Sequence, residues 1–324
     1  MKFKISSLLL LVFFIVSWPS CSDSGDHVSK TDKIKLLVVH AGSLSLPFRE
    51  ISKGFEKKYP NVKVLLEGYG SRTAARQVSD LKMNVDVLGS ADSDVIKKLL
   101  YPEYADFCID FVSNEMVIAF TEKSKNSRVI DSGNWYEILL MDGVEPGHSD
   151  PDCDPCGYRS VFTMELAEKF YGEKGLFKKL QGKIRKKNIR AKETDLLALL
   201  EAGELDYIYI YKSVAVQHGL KYVELPGEVN LGISEYKDLY GTVNISLSGK
   251  KPGQFIEKKG APMIYGLTIP KLSENRSYAE KFIIYIISEE GKEIMKKMGQ
   301  PLLDPPYVDN PENLPESLRR YFKN

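Results

Sequence analysis

The chain has 324 residues, 43% of them hydrophobic and 27% charged, with a formal net charge of +1. That length and balance suit a soluble globular protein of about two domains with a sizeable core. Near-zero charge with interspersed Lys and Glu leaves no basic stripe, which argues against nucleic acid as a partner and makes any anion site local.

At the start, Lys2 and Lys4 precede an apolar run from Leu8 to Val16. A run of that length matches a signal-peptide core and is too short to span a bilayer. Residues 1–20 therefore read as a signal peptide, and the protein as exported. The run ends at Ser17-Trp18-Pro19-Ser20-Cys21 and a polar tract follows, so 21–33 reads as a flexible tether with Cys21 as the lipid-attachment site. Simple secretion with cleavage nearby is the alternative.

From Ile34 the apolar run to Val39 predicts a buried strand ending at His40-Ala41-Gly42-Ser43. Leu44, Phe48, Ile51 and Phe55 then fall at helical spacing, with Ser43 or Ser45 as the expected cap. Val62 to Leu66 repeats the arrangement, ending at Gly68-Tyr69-Gly70-Ser71 before another helix, with Ser71 as its cap. Val85 to Leu88 is a third, short strand, and Gly89-Ser90-Ala91-Asp92 turns into the helix from Val95 to Leu100. Alternating strand and helix argues for a mostly parallel sheet, whose ligands sit beyond the C-terminal strand ends, where Ser43 and Ser71 are expected.

Met116 to Phe120 reads as a strand leading into a second lobe. That lobe holds a helix near Trp135 to Leu140 and then the stretch from Ser149 to Ser160, acidic and rich in proline, feeding an apolar helical face at Val161, Met164, Leu166 and Phe170. Free N–H groups and the positive dipole end make the turn from Asp154 to Gly157 a candidate anion cradle, an ordinary capped helix being the alternative. Glu193 stands at the entrance of a helix driven by Leu196, Leu197, Leu199 and Leu200 and stopped by Gly203. Tyr207 to Tyr211 alternates as an aromatic strand, with Tyr211 at its loop end.

Ala261 to Pro270 reads as a second extended crossing, followed by one long amphipathic helix from Ala279 to Met298, stopped at Gly299-Gln300-Pro301. Two crossings imply two lobes around a cleft, with 34–118 plus 265–324 in the first and 119–264 in the second. Cys153 and Cys156, with Cys108 elsewhere, read as a disulfide or two inert thiols rather than half a zinc site, because the four histidines are unpaired.

Ala41-Gly42-Ser43, Gly70-Ser71-Arg72, Ser90-Ala91-Asp92, Ser149-Asp150-Pro151 with Asp154-Pro155-Cys156-Gly157-Tyr158-Arg159-Ser160, and Tyr211-Lys212-Ser213 together resemble the tungstate/molybdate-binding component of an ABC importer, of the archaeal type. The resemblance implies a two-lobed α/β fold of the type II periplasmic-binding-protein class, each lobe a mostly parallel sheet flanked by helices. It implies that Gly42, Ser43 and Ser71 face Asp154, Pro155, Cys156, Glu193 and Tyr211 across a bound oxyanion. Asp154 and Glu193 would be the direct ligands of tungsten or molybdenum in a six-coordinate shell. Two acids at an anion cleft fit a metal oxyanion better than sulfate, because a carboxylate repels a dianion unless it is protonated or bonds the metal. Arg72, Arg76 and Arg159 are expected behind the ligand-contacting groups.

The expectation is a non-enzymatic, monomeric binding protein without a cofactor. Its partners would be the oxyanion, a membrane permease and its ATPase subunit, and it would touch the membrane only through an N-terminal anchor, on the outer face of the cell membrane or in the periplasm. Ser43 and Ser71 have no histidine base in the pattern, which argues against a hydrolase. A sulfate- or phosphate-binding protein of the same fold, and a secreted thiol oxidoreductase using Cys153 and Cys156, are the alternatives.

Overall fold

Strand β1 (Ile34–Ala41) is fully buried at Leu36, Val38 and Val39, as a continuous apolar run must be when helices cover both faces of a sheet. β2 (Val62–Tyr69) lies parallel to it on one side, pairing Val38 with Leu66. β3 (Val87–Ser90) lies parallel on the other, pairing His40 with Gly89. The connections are α1 (Ser45–Lys58) and α2 (Ser71–Ser79), and α3 (Ser93–Leu100) follows β3. Three adjacent strands therefore end at one edge and bring the turns at Gly42, Gly70 and Ala91 side by side.

The computed structural model describes residues 33–249, 251, 253–300 and 302–322. The expected signal peptide, Cys21, the tether as far as residue 32, and Pro301 lie outside the described residues. Among the described residues no helix is long and apolar enough to cross a membrane.

After β3 the chain forms β4 (Ile109–Ser113) in the same sheet and then β5 (Met116–Phe120), which pairs entirely within a second sheet. The change of sheet thus falls at Asn114-Glu115. The second sheet is built from β6 (Pro146–Ser149), β7 (Ile189–Arg190), β8 (Tyr207–Tyr211) and β9 (Lys221–Glu224) around β5, in the order β7-β6-β8-β5-β9. Its helices are α4 (Trp135–Leu140), α5 (Pro155–Tyr171), α6 (Leu176–Lys183), α7 (Asp195–Ala202) and α8 (Lys212–Gln217). Trp135 and Tyr209 meet edge to face at 6.1 Å in its core. A hairpin of β10 (Asn244–Ser248) and β11 (Phe255–Lys259) comes next. The chain returns through β12 (Ile264–Thr268) and β13 (Leu302–Val308) to a first sheet ordered β13-β4-β12-β3-β1-β2.

Three expectations need correction. Both sheets are mixed rather than mostly parallel, because β12 and β5, which flank the two changes of sheet, run antiparallel to their neighbours. The single long helix is two, Arg276–Ile287 and Glu289–Lys297. Ser288 between them is extended and its Oγ accepts the Gly291 N–H at 3.3 Å, so it caps a new helix. Finally, none of Ser43, Ser45 and Ser71 caps a helix start with its side chain: α1 starts after a 3-10 turn, Gly42–Leu44, and neither α1 nor α2 has a side-chain cap.

Candidate functional site

The freed serines have other work. Ser43 is fully buried at the end of β1, with its Oγ 3.0 Å from the Tyr265 hydroxyl on β12. Ser71 opens α2, and its Oγ accepts the Ala91 N–H at 2.9 Å. From the second sheet, Asp154 is the N-cap of α5: Oδ1 accepts the Cys156 N–H at 3.2 Å, and Pro155 fills the first helical turn, where its missing N–H costs nothing. Asp154 Oδ2 accepts the Glu193 N–H at 2.9 Å, which ties the entrance of α7 to that of α5. Tyr211 closes β8, and its hydroxyl accepts from Arg159 Nη1 at 2.9 Å.

Following contacts from residue to residue returns to the starting point. Ser43 meets Tyr265, whose ring lies 5.9 Å from that of Tyr211. Tyr211 meets Arg159, which also donates to the Ala91 carbonyl at 2.7 Å. Ala91 leads to Ser71 and its neighbour Gly70, where a Cβ would stand 2.9 Å from Asp154 Cβ and 2.7 Å from the Ala191 carbonyl. Asp154 holds Glu193, whose carboxyl faces Gly42 so closely that a Cβ there would lie 2.9 Å from Oε2 and 3.0 Å from Oε1. The first and second sheets are sewn together at the same place, for the Arg72 and Thr73 N–H groups donate to the Cys153 carbonyl at 3.1 and 3.3 Å.

The ring thus joins Gly42, Ser43, Ser71, Asp154, Pro155, Cys156, Glu193 and Tyr211, all of them buried. It collects hydroxyls and the N-termini of α2, α5 and α7, a combination suited to an anion held by uncharged donors. Glu193 is the exception. Its carboxyl is fully buried and neither oxygen makes a well-formed hydrogen bond among the described residues, although the Ser43 backbone and the Asp154 carboxyl lie close to it. Burial first, then the charge of Asp154, hold its pKa well above the ordinary range, and burial raises Asp154 as well. His40 beside the ring is no anion ligand: burial lowers its pKa to about 4 and its Nδ1 sits 2.8 Å from the Ala41 carbonyl.

The arginines stand outside the ring's interior. Arg72 Nε donates to the Asp152 carbonyl at 3.0 Å, and Arg76 donates to the Gly249 carbonyl at 3.1 Å, away from the cradle. Arg159 backs Tyr211. Sequence reasoning missed Asn114, Tyr265 and a buried charge cluster at Asp92, which accepts from Tyr158 at 2.5 Å and pairs with Lys258 at 2.6 Å. Burial alone would raise Asp92, yet Lys258 and Arg159 hold it well below the carboxylate range. Lys258 lies on the hairpin, which the alternation of Ile245 and Leu247 signals.

Residues 36–300 match the family profile of bacterial extracellular solute-binding proteins. The chain belongs to that family. A relative described as an uncharacterized solute-binding protein, from Petrotoga mobilis, is 51% identical over 289 residues, covering 89% of this chain and 90% of its own. The molybdate/tungstate-binding protein WtpA of Pyrococcus abyssi is 41% identical over 343 residues, covering 98% and 96%. Among solved structures, the periplasmic molybdate-binding protein of Azotobacter vinelandii matches with a TM-score of 0.60 at 16% identity, over 83% of this chain and 99% of that one. At that identity the likeness speaks for the fold, two helix-flanked sheets of the periplasmic-binding-protein class.

Cys153 and Cys156 are free thiols, so of the two expectations the disulfide is not formed. Burial raises both pKa values, and Cys156 is wholly enclosed, with Sγ 3.7 Å from the Tyr209 carbonyl. Cys153 is half-buried, beside the Arg72 and Thr73 contacts that join the two sheets. Alkylation of Cys153 at pH 8.5 is expected to slow at least ~tenfold when a saturating ligand holds those contacts shut. Equal rates with and without ligand, read by mass spectrometry, would count against closure at this seam.

Proposed function

We propose that this chain is the solute-binding component of an ABC importer that closes two lobes, one built on each sheet, around tungstate or molybdate, with the first boundary at Asn114-Glu115 rather than at 118/119 and the second ahead of β12 at Ile264. Gly42, Ser43 and Ser71 face Asp154, Pro155, Cys156, Glu193 and Tyr211 across the oxyanion. The observation that carries the reading is the closed ring of buried polar groups drawn from both sheets, in which one carboxyl, Glu193, makes no well-formed hydrogen bond. Of the two acids, Asp154 already spends both oxygens on the Cys156 and Glu193 N–H groups. Glu193 is therefore the better placed to bond the metal, with Asp154 as its holder and a second, weaker ligand. The relative from Pyrococcus abyssi, described as binding molybdate and tungstate, supports the same choice of ligand.

Opening and closing turns on the two changes of sheet, and the oxyanion favours the closed form because it touches both lobes only there. Export, lipid attachment at Cys21, a monomeric state, and delivery to a permease with its ATPase belong to the same proposal. The protein acts by binding and release; a thiol oxidoreductase is disfavoured by the enclosed Cys156.

Calorimetric titration of the mature, ligand-stripped protein with tungstate, molybdate, sulfate and phosphate tests this. Tight binding of the first two and none of the others is expected. Preference for sulfate or phosphate would transfer the site to the alternative ligand, and silence with all four would overturn the reading.

A further inference from the structure

Ser43 presents a hydroxyl whose direction matters, since an oxyanion needs its proton and is repelled by its lone pairs. That direction is set at a distance. Asn114 sits where the chain leaves the first sheet for the second, and its Oδ1 accepts the Glu115 and Ser213 N–H groups at 3.0 and 3.4 Å. Two donors on Oδ1 fix the amide orientation, so Nδ2 must donate. It donates to Ser213 Oγ at 2.7 Å and to the Tyr265 hydroxyl at 3.0 Å. Tyr265 is fully buried, and among the described residues the one acceptor within reach of its proton is Ser43 Oγ. A buried O–H does not forgo an acceptor, so Tyr265 donates to Ser43. Ser43 then accepts from behind and its own proton is left for the cleft. The same pattern recurs where Ala91 N–H backs Ser71 and Arg159 backs Tyr211.

We propose that Asn114 and Tyr265 form a positioning relay that aims the Ser43 proton at the bound oxyanion. The relay rests on the oxyanion-binding reading above. It also gives the first change of sheet a direct say in the polarity of the site, because the Asn114 side-chain amide bonds Tyr265 of the first sheet and Ser213 beyond the end of β8 in the second.

N114D keeps the shape and the Oδ1 bonds while turning the donor into an acceptor. Tyr265 then donates to the new carboxylate, Ser43 donates to Tyr265, and a lone pair faces the anion. The test is a double-mutant cycle on molybdate affinity, by calorimetry, with circular dichroism and melting as folding controls. Y265F is expected to weaken binding ~tenfold and N114D ~30-fold, the range for hydrogen bonds to charged groups. In the Y265F background, N114D should cost no more than ~threefold, because the relay is already cut. A charge effect of the new carboxylate alone would cost the same in both backgrounds, and that result, or wild-type affinity in Y265F, overturns the relay. Should Y265F fail to fold, S43A replaces it as the background, since the relay ends there. The wild-type titration separates the two failures: a wild type that binds neither molybdate nor tungstate overturns the ligand reading and the relay with it, whereas a binding wild type with additive mutants overturns the relay alone.

Discussion

Gly70→Ala is expected to abolish tight anion binding, by ~100-fold or more, while hardly changing the melting of the ligand-free protein. Gly70 has φ −62° and ψ 139°, a conformation alanine adopts freely, so the backbone carries no penalty. The obstacle is what lies opposite. A methyl group would meet the carbonyls of Cys153 and Ala191, the latter at 2.7 Å, and Asp154 Cβ at 2.9 Å. Carbonyls cannot swing aside as side-chain ends do, and the Cys153 carbonyl is the one that receives Arg72 and Thr73. The substitution should prop the two halves apart, where the anion can touch only one of them. A control is Gly172→Ala, at φ 69° with nothing within 4 Å, which should cost about 1 kcal/mol of stability and no affinity. Retention of wild-type affinity in G70A would show that this seam stays open when ligand is bound.

Much of this site could be read before any coordinates, because its parts lie at ends of elements. An apolar run that stops at Ala41-Gly42-Ser43 or Tyr69-Gly70-Ser71 announces both a strand and its terminal turn, and the parallel pairing of β1, β2 and β3 then sets those turns side by side. The leucine-rich helix after Glu193 fixed its place in the same way. Pairing across long stretches of chain could not be read: Asn114 and Tyr265 stand 151 residues apart, and neither carries a local pattern that points to the other. The antiparallel strands β5 and β12 escaped for the same reason, since an apolar run records burial but not the direction of its neighbour. The break at Ser288 was hidden by a buried face that runs on from Ile286 and Ile287 to Met295. Its one local sign was a serine followed by two glutamates, a helix-start signal inside an apparent helix. A capping serine and a serine hydroxyl bonded to another strand look alike in sequence, which is why Ser43 and Ser71 read as caps.

Glu193→Gln is expected to weaken tungstate and molybdate binding by ~100-fold or more and, in the ligand-free protein, to raise stability at pH 8. The two effects share a cause. At about 4 Å, a dianion and a carboxylate repel by about 8 kcal/mol at an effective dielectric of 20, more than any hydroxyl in the ring could offset. Glu193 can then stay in an occupied site only as a neutral acid or as a carboxylate bonded to the metal itself. Without ligand, its raised pKa keeps a proton on the folded protein that the unfolded chain releases above the ordinary value of 4.5. That stabilisation is complete below 4.5 and is lost as pH rises above it, while the buried histidines, held below their ordinary value, change stability in the opposite direction and equally in both proteins. Glutamine carries no proton to lose, so the melting temperature of ligand-free E193Q relative to wild type should rise from pH 5 to pH 8. The sign of the binding change then separates the two roles. A carboxylate that bonds the metal is missed when it is gone, and affinity drops. A carboxyl that merely tolerates the anion leaves a site that binds as well, or better, with the amide, which would make the cradle a plain tetrahedral one and remove Glu193 from the coordination shell.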